Sequence, residues 1–158
     1  MLMSEAFHPT RRSDAGHLQI TERDFYVLRW ISEQYTVHTG HLAILLGQHA
    51  KAATKHQNRV TSSTVRHALE RWRTLALIED PYKFISPVPA YVWVSRRAIT
   101  ELALPFPYYR PRLANLPQIT RMNMLRLMME EQDPGATWLS ERLLRTIRRD
   151  VHLDAELH

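Results

Sequence analysis

The sequence predicts a mainly α domain with one small β-hairpin, an α+β fold, on three observations. Apolar residues recur at helical spacing in three successive segments between residues 21 and 75, the period falls to two across residues 77–94, and helical spacing returns after Ser95. A chain of 158 residues makes one domain, or one compact domain with an appendage. Its 44% hydrophobic and 23% charged residues are the composition of an ordinary globular chain rather than a disordered one. No apolar run approaches the ~18 residues that a bilayer span requires. The opening MLMSEAFHPTRRSDAG lacks the basic-then-apolar order of a signal peptide. A cytoplasmic location without a membrane partner is therefore expected, and the absence of cysteine excludes disulfides and thiolate metal sites.

Residues 1–20 are polar, with Pro9 and Gly16, and are read as a mobile N-terminal arm. Thr21 and Asp24 are spaced as a capping box ahead of Phe25, Leu28, Ile31 and Tyr35, which predicts the first helix. Residues 36–38 make a short connection. Thr39 then caps a second helix with Leu42, Leu45 and Leu46 inward, closed by Gly47. Residues 48–60, QHAKAATKHQNRV, show no apolar periodicity and read as a long basic loop. A third helix starts near Ser62 or Ser63, with Val65, Leu69, Trp72 and Leu75 on one side and Thr64, Arg66, His67, Glu70, Arg71 and Arg73 on the other. Residues 77–79 and 90–94 are the two strands, joined through YKFISPVP, which Pro87 and Pro89 stiffen. Ser95 caps a fourth helix running through Leu104. Three helices, two strands and a helix over residues 21–104 give the order of a winged helix-turn-helix, in which the third helix is the recognition helix and the hairpin is the wing.

Residues 105–117 hold four prolines and three aromatics, a Pro-rich linker that runs extended over a surface. Residues 118–158 are a C-terminal helical extension. Its first helix covers about residues 120–132, with Met122, Leu125, Met128 and Met129 as the expected buried set, and Asp133-Pro134-Gly135 ends it. A short strand at 137–139, a helix over about 140–148 and a loose end complete the expectation.

Charge locates the candidate site. The net +5 is accounted for by residues 48–75, where Lys51, Lys55, Arg59, Arg66, Arg71 and Arg73 face Glu70 alone. A local positive field of this kind calls for a polyanion, and its coincidence with the recognition-helix position makes double-stranded DNA the expected partner. The candidate DNA-binding residues are Lys51, Lys55, Arg59, Ser63, Thr64, Arg66, His67, Arg71 and Arg73, with Lys83 as the one cation of the wing. Arg66, His67 and Arg71 are the best placed for base edges or phosphates. The plainer alternatives are a solvated charged face, a helix-end charge at Arg73, and a wing whose Phe84 and Ile85 serve packing rather than a groove.

Other chemistries find less support. His38-x-x-His41, and His49 with His56, have no carboxylate spaced to join them, so no metal and no cofactor is expected. Ser62, Ser63 and Ser140 stand where helix caps belong rather than where a nucleophile would. The pairs Glu79-Asp80 and Glu130-Glu131 are expected to face solvent. Trp72 and Trp93 are expected in the core, and Trp30 and Trp138 in core or interface. The four isolated glycines supply no phosphate-cradling loop.

ITERDFYVLRWI, TGHLAILLG, STVRHALERWRTLALIE and YVWVSRRAITELAL together resemble the winged helix that opens proteins of the replication-relaxation family. ATWLSERLLRTIR is similar to that family's small-Trp-x-Ser-Glu-Arg element, and HLDAEL to its Pro-Asp motif, so the resemblance covers about residues 20–157. It implies an accessory DNA-binding role in replication, transfer or gene control of a plasmid, phage or integrative element. In longer relatives the acidic motif begins a nuclease-like half. If Asp154 is the first acid here, the sequence runs only four residues further, and a cleaving metal site needs at least two converging carboxylates. The chain is therefore expected not to be an enzyme and to take no small-molecule substrate. The alternatives to a DNA-binding protein are an adaptor that docks proteins on the winged helix, and a non-catalytic remnant of a nuclease-like protein. The Met- and Leu-rich extension, residues 118–158, is expected to serve assembly, as a homodimer.

Overall fold

A computed structural model describes residues 20–50, 55–79 and 90–156, and it is mainly helical with two small antiparallel strand pairs. The arm expected at 1–19 and the wing tip at 80–89 lie outside the described residues. Helix α1 spans Glu22–Glu33 and opens on the capping box, Thr21 Oγ1 accepting from the Asp24 amide at 3.1 Å and the Asp24 carboxylate from the Thr21 amide at 3.1 Å. After a turn, β1 (Val37–His38) leads into α2 (Thr39–Gln48), whose N-cap is His38 rather than Thr39, its ring nitrogen accepting from the His41 amide at 3.1 Å. The core joins Leu28 and Ile31 of α1, Leu42, Leu45 and Leu46 of α2, and Val65, Leu69 and Trp72 of α3, which spans Ser62–Thr74.

Residues 55–60 are not loop. Strands β2 (Lys55–His56) and β3 (Arg59–Val60) pair antiparallel around Gln57 and Asn58, both at positive φ, 48° and 63°. Two successive left-handed residues make the primed turn whose twist matches a hairpin. Gly47 does not close α2 by a left-handed cap. It is buried within the helix, and a Cβ there would lie 2.7 Å from the Arg59 Cα and 2.8 Å from the Asn58 carbonyl oxygen. Glycine is thus what lets the hairpin lie directly on α2.

The expected strands around the wing are shorter than the pattern suggested. Strand β4 (Tyr91–Val92) pairs with β1, and 77–79 contributes the single bridge Ile78 to Val94. Helix α4 is only Arg96–Glu101, capped by Ser95. Both α3 and α4 end on an alanine held left-handed, Ala76 at φ 55° and Ala103 at φ 49°, with paired bonds from Ala76 N to Arg73 O and Leu77 N to Trp72 O. Within residues 105–115 of the linker only Phe106 is buried, its ring 5.6 Å from the Arg142 guanidinium.

Helix α5 (Leu116–Gln132) begins earlier than expected and turns the opposite face inward. Its buried residues are Leu116, Ile119, Asn123, Arg126 and Leu127, while Met122, Met124, Leu125, Met128 and Met129 are exposed. The expectation of a buried methionine set is overturned by hydrogen bonding. Asn123 donates to the Thr36 carbonyl at 2.7 Å and accepts from Gln34 at 3.1 Å, and Arg126 reaches Glu33, Glu130 and Gln34 while its guanidinium lies 4.8 Å from the Trp30 ring. Glu130 accordingly faces inward, accepting from Trp30 Nε1 at 3.1 Å, and Glu79 accepts from the Tyr108 hydroxyl at 3.4 Å. Neither carboxylate simply faces solvent, as their sequence positions had suggested. Residues 137–139 are not a strand, and α6 (Glu141–Glu156), capped by Ser140, continues through the stretch expected to be loose.

Candidate nucleic-acid interface

Helix α3 carries the candidate site because its two faces are chemically distinct. Val65, Ala68, Leu69 and Trp72 are buried, and Ser63, Arg66, His67, Glu70 and Arg73 are exposed. Thr61 is the N-cap, one residue before the serines expected there, and its hydroxyl lies 3.1 Å from that of half-buried Thr64. The helix is fixed to α1 by Asp24, which is fully buried. Its Oδ1 accepts from Trp72 Nε1 at 3.0 Å and from the Arg71 guanidinium, so the residue that starts α1 also orients α3.

That network separates two arginines the sequence had grouped. Arg66 stands on the outer face, whereas Arg71 is half-buried and ion-paired with Asp24 across the helix pair. Arg71 is thereby committed to positioning α3. A groove of about 650 Å³ runs between the N-terminal turn of α2, strand β3 and the outer side of α3, and Arg59, Arg66, Glu70 and Arg73 line it. The hairpin brings Arg59 to the same groove as the helix, which a flexible loop would not do. Exposed Gln57 and Asn58 form its tip. Lys51 and Lys83 lie outside the described residues, as does the side chain of Lys55.

His38 and His41 are packed together at the start of α2. The His38 and His41 rings are 3.7 Å apart between centroids. Burial pushes both below the ordinary histidine value, His41 to about 4 with a further contribution from His38. They are held neutral. Among the described residues, no group of three or more His, Cys, Asp or Glu side chains is placed to hold a metal ion, and no helix is long and apolar enough to cross a membrane.

Three features of the site escaped the sequence reading: the Asp24 anchor, the β2–β3 hairpin and the close approach at Gly47. Asn58 was the available signal for the hairpin, since asparagine tolerates left-handed backbone. Asp24 was visible only as a cap. No protein-family model, curated protein or solved structure matches the chain.

Proposed function

We propose that this chain is a double-stranded DNA-binding protein of winged helix-turn-helix type, a binder rather than an enzyme, with α3 as the recognition helix and the β2–β3 hairpin as a second phosphate-contacting element. The observation that carries the reading is the meeting of Arg59, Arg66 and Arg73 on one groove, over the outer face of a helix whose inner face is fully packed. The bridge between Ile78 and Val94 and the pairing of β1 with β4 are consistent with the sheet at the base of a wing. Service to replication, transfer or gene control of a mobile element follows from the family resemblance of the sequence alone.

Fluorescence anisotropy of a labelled random duplex, titrated between roughly 50 and 200 mM salt, tests this reading. Binding should weaken steeply with salt. Arg59→Ala with Arg66→Ala should weaken it for all duplexes and lower the salt slope by roughly 2, about 0.9 for each phosphate that is no longer neutralised. An unchanged slope would refute phosphate binding by these two side chains.

A second reading, protein docking through α5, is favoured by one observation. Met122, Met124, Leu125, Met128 and Met129 are all exposed on that helix, an apolar surface larger than scattered single residues would make. A second copy of the chain, joined through residues 118–158, is the simplest occupant. Light scattering of the full chain distinguishes a dimer from a monomer.

A further inference from the structure

A second cavity, of about 690 Å³, lies away from α3, between the end of α1, residues 107–109, and the first turns of α5 and α6. Its size suits one small organic ligand or a few units of a chain. Tyr35 sits at its edge with φ 73°, a left-handed backbone that a bulky aromatic rarely adopts. It is the residue after the C-cap of α1, the same left-handed helix end as Ala76 and Ala103, and a bulky side chain there is held by what packs against it. Here the surroundings are Arg142, whose guanidinium lies 4.7 Å from the Tyr35 ring, and Tyr109, whose ring is 4.7 Å away. Arg142 is buried and donates to the Ser32 and Pro107 carbonyls, so it is the floor that fixes the tyrosine rather than a group for a ligand.

Trp138, Arg145 and Arg149 present partly or largely exposed side chains to the cavity. Trp138 is half-buried, oriented by its Nε1 bond to Gln34 at 3.0 Å, and Arg145 and Arg149 line the cavity with 72% and 69% of their side chains exposed. Residues 142, 145 and 149 share one face of α6. Arg145 pairs with Glu141 and Arg149 lies 4.0 Å from Asp150, but exposed pairs of this kind are weak and exchange readily for a phosphate. Burial and the neighbouring Glu141 carboxylate push the Tyr35 hydroxyl above its ordinary value, so it remains protonated and a donor. Half-exposed rings beside exposed guanidiniums match a planar base attached to an anionic backbone. A duplex presents no base face to them, and the lining offers a peptide no strand edge.

We propose that this cleft binds nucleotide units of single-stranded nucleic acid, the bases against Tyr35, Tyr109 and Trp138 and the phosphates at Arg145 and Arg149. The site is independent of the duplex-binding face, and either can fail without the other. The full chain is titrated with a labelled thymidine 12-mer by anisotropy, and with the same oligomer and dTMP by tryptophan fluorescence. Trp30, Trp72 and Trp93 are buried, so quenching by stacking reports Trp138. The expected result is quenching that Trp138→Phe abolishes, and at least tenfold weaker binding in Arg145→Ala/Arg149→Ala with an unchanged melting temperature and unchanged duplex affinity. Oligomer binding tighter than dTMP identifies a strand as the occupant; equal affinity identifies a free nucleotide and overturns the strand. The proposal is also overturned if neither ligand binds, if Arg59→Ala/Arg66→Ala weakens oligomer binding and the Arg145/Arg149 pair does not, or if only a polyglutamate peptide binds with dependence on Trp138.

Discussion

Helices α3 and α5 solve the same packing problem in opposite ways. Helix α3 turns Val65, Leu69 and Trp72 to the core and its charges outward, whereas α5 buries Asn123 and Arg126 and leaves five large apolar side chains in solvent. The difference lies in what each helix meets. The core wall facing α3 is leucine, valine and tryptophan apart from one buried carboxylate, Asp24, which Trp72 and Arg71 of α3 satisfy. The wall facing α5 presents Glu33, Gln34 and the Thr36 carbonyl, all buried, and these groups cost free energy unless they are bonded. A methionine face would leave them unsatisfied. Satisfying buried polar groups outranks burying a few more methylenes, because each unmade bond costs about 1–3 kcal/mol while a half-exposed methionine forgoes less.

The contrast breaks most visibly at the centre of each helix. Trp72→Ala should cost about 3–5 kcal/mol by opening a cavity, and Arg126→Ala a similar ~3–5 kcal/mol by leaving buried Glu33 and half-buried Glu130 without their cation. Urea unfolding measures both. The distinguishing arm is Arg126→Ala with Glu33→Gln, which should recover part of the loss, whereas no single partner change rescues Trp72→Ala.

Acid should loosen both helices at once, since α2 packs against each and His41 is buried within it. Its folded value of about 4 lies below the ordinary 6.5, so the unfolded chain takes up the proton first. Stability is therefore full above pH ~6.5 and falls as pH drops toward 4, by up to ~3 kcal/mol from this group. Unfolding midpoints across that range measure the slope, and His41→Gln should flatten it.

Asn123→Ala removes one bond donor and one acceptor without a charge and should cost about 1–3 kcal/mol, with the Thr36 carbonyl left unbonded. A null effect would mean that water replaces the side chain and that α5 is not fixed by this network. Smaller still, Ala76→Gly should raise stability by about 0.5–1 kcal/mol, because glycine adopts the left-handed end of α3 without strain. Smallest of all, Met124→Gln with Met128→Gln should shift stability by no more than about 0.5 kcal/mol if the methionine face is free in solution. A drop in melting temperature that depends on protein concentration would instead reveal a partner copy on that face.

The helical order of residues 21–75, the Thr21–Asp24 box, the inward face of α3 and the cap at Ser95 were legible because each is a local pattern of spacing or side-chain chemistry. Helix ends were less so. Ala76 and Ala103 occupy positions where glycine is the usual marker, so nothing in the sequence placed the end of α4 at Glu101. The hairpin of residues 55–60 was hidden because two-residue strands carry too few positions to show alternation. Glu130 and Arg71 looked exposed because their partners, Trp30 and Asp24, are distant in sequence.

The sequence by itself determined the class of fold, the net positive excess at residues 48–75, and which residues of α3 are apolar, all properties of neighbours along the chain. Tertiary structure alone decided which arginines are committed inward, where the hairpin carries Arg59, and which face of α5 is buried. Apolar residues surround α5 on several sides, from Leu116 and Ile119 to Met124 and Met129, so periodicity favours no direction. Only the polar groups that α1 and the following turn bring against it supply the energy difference that selects one.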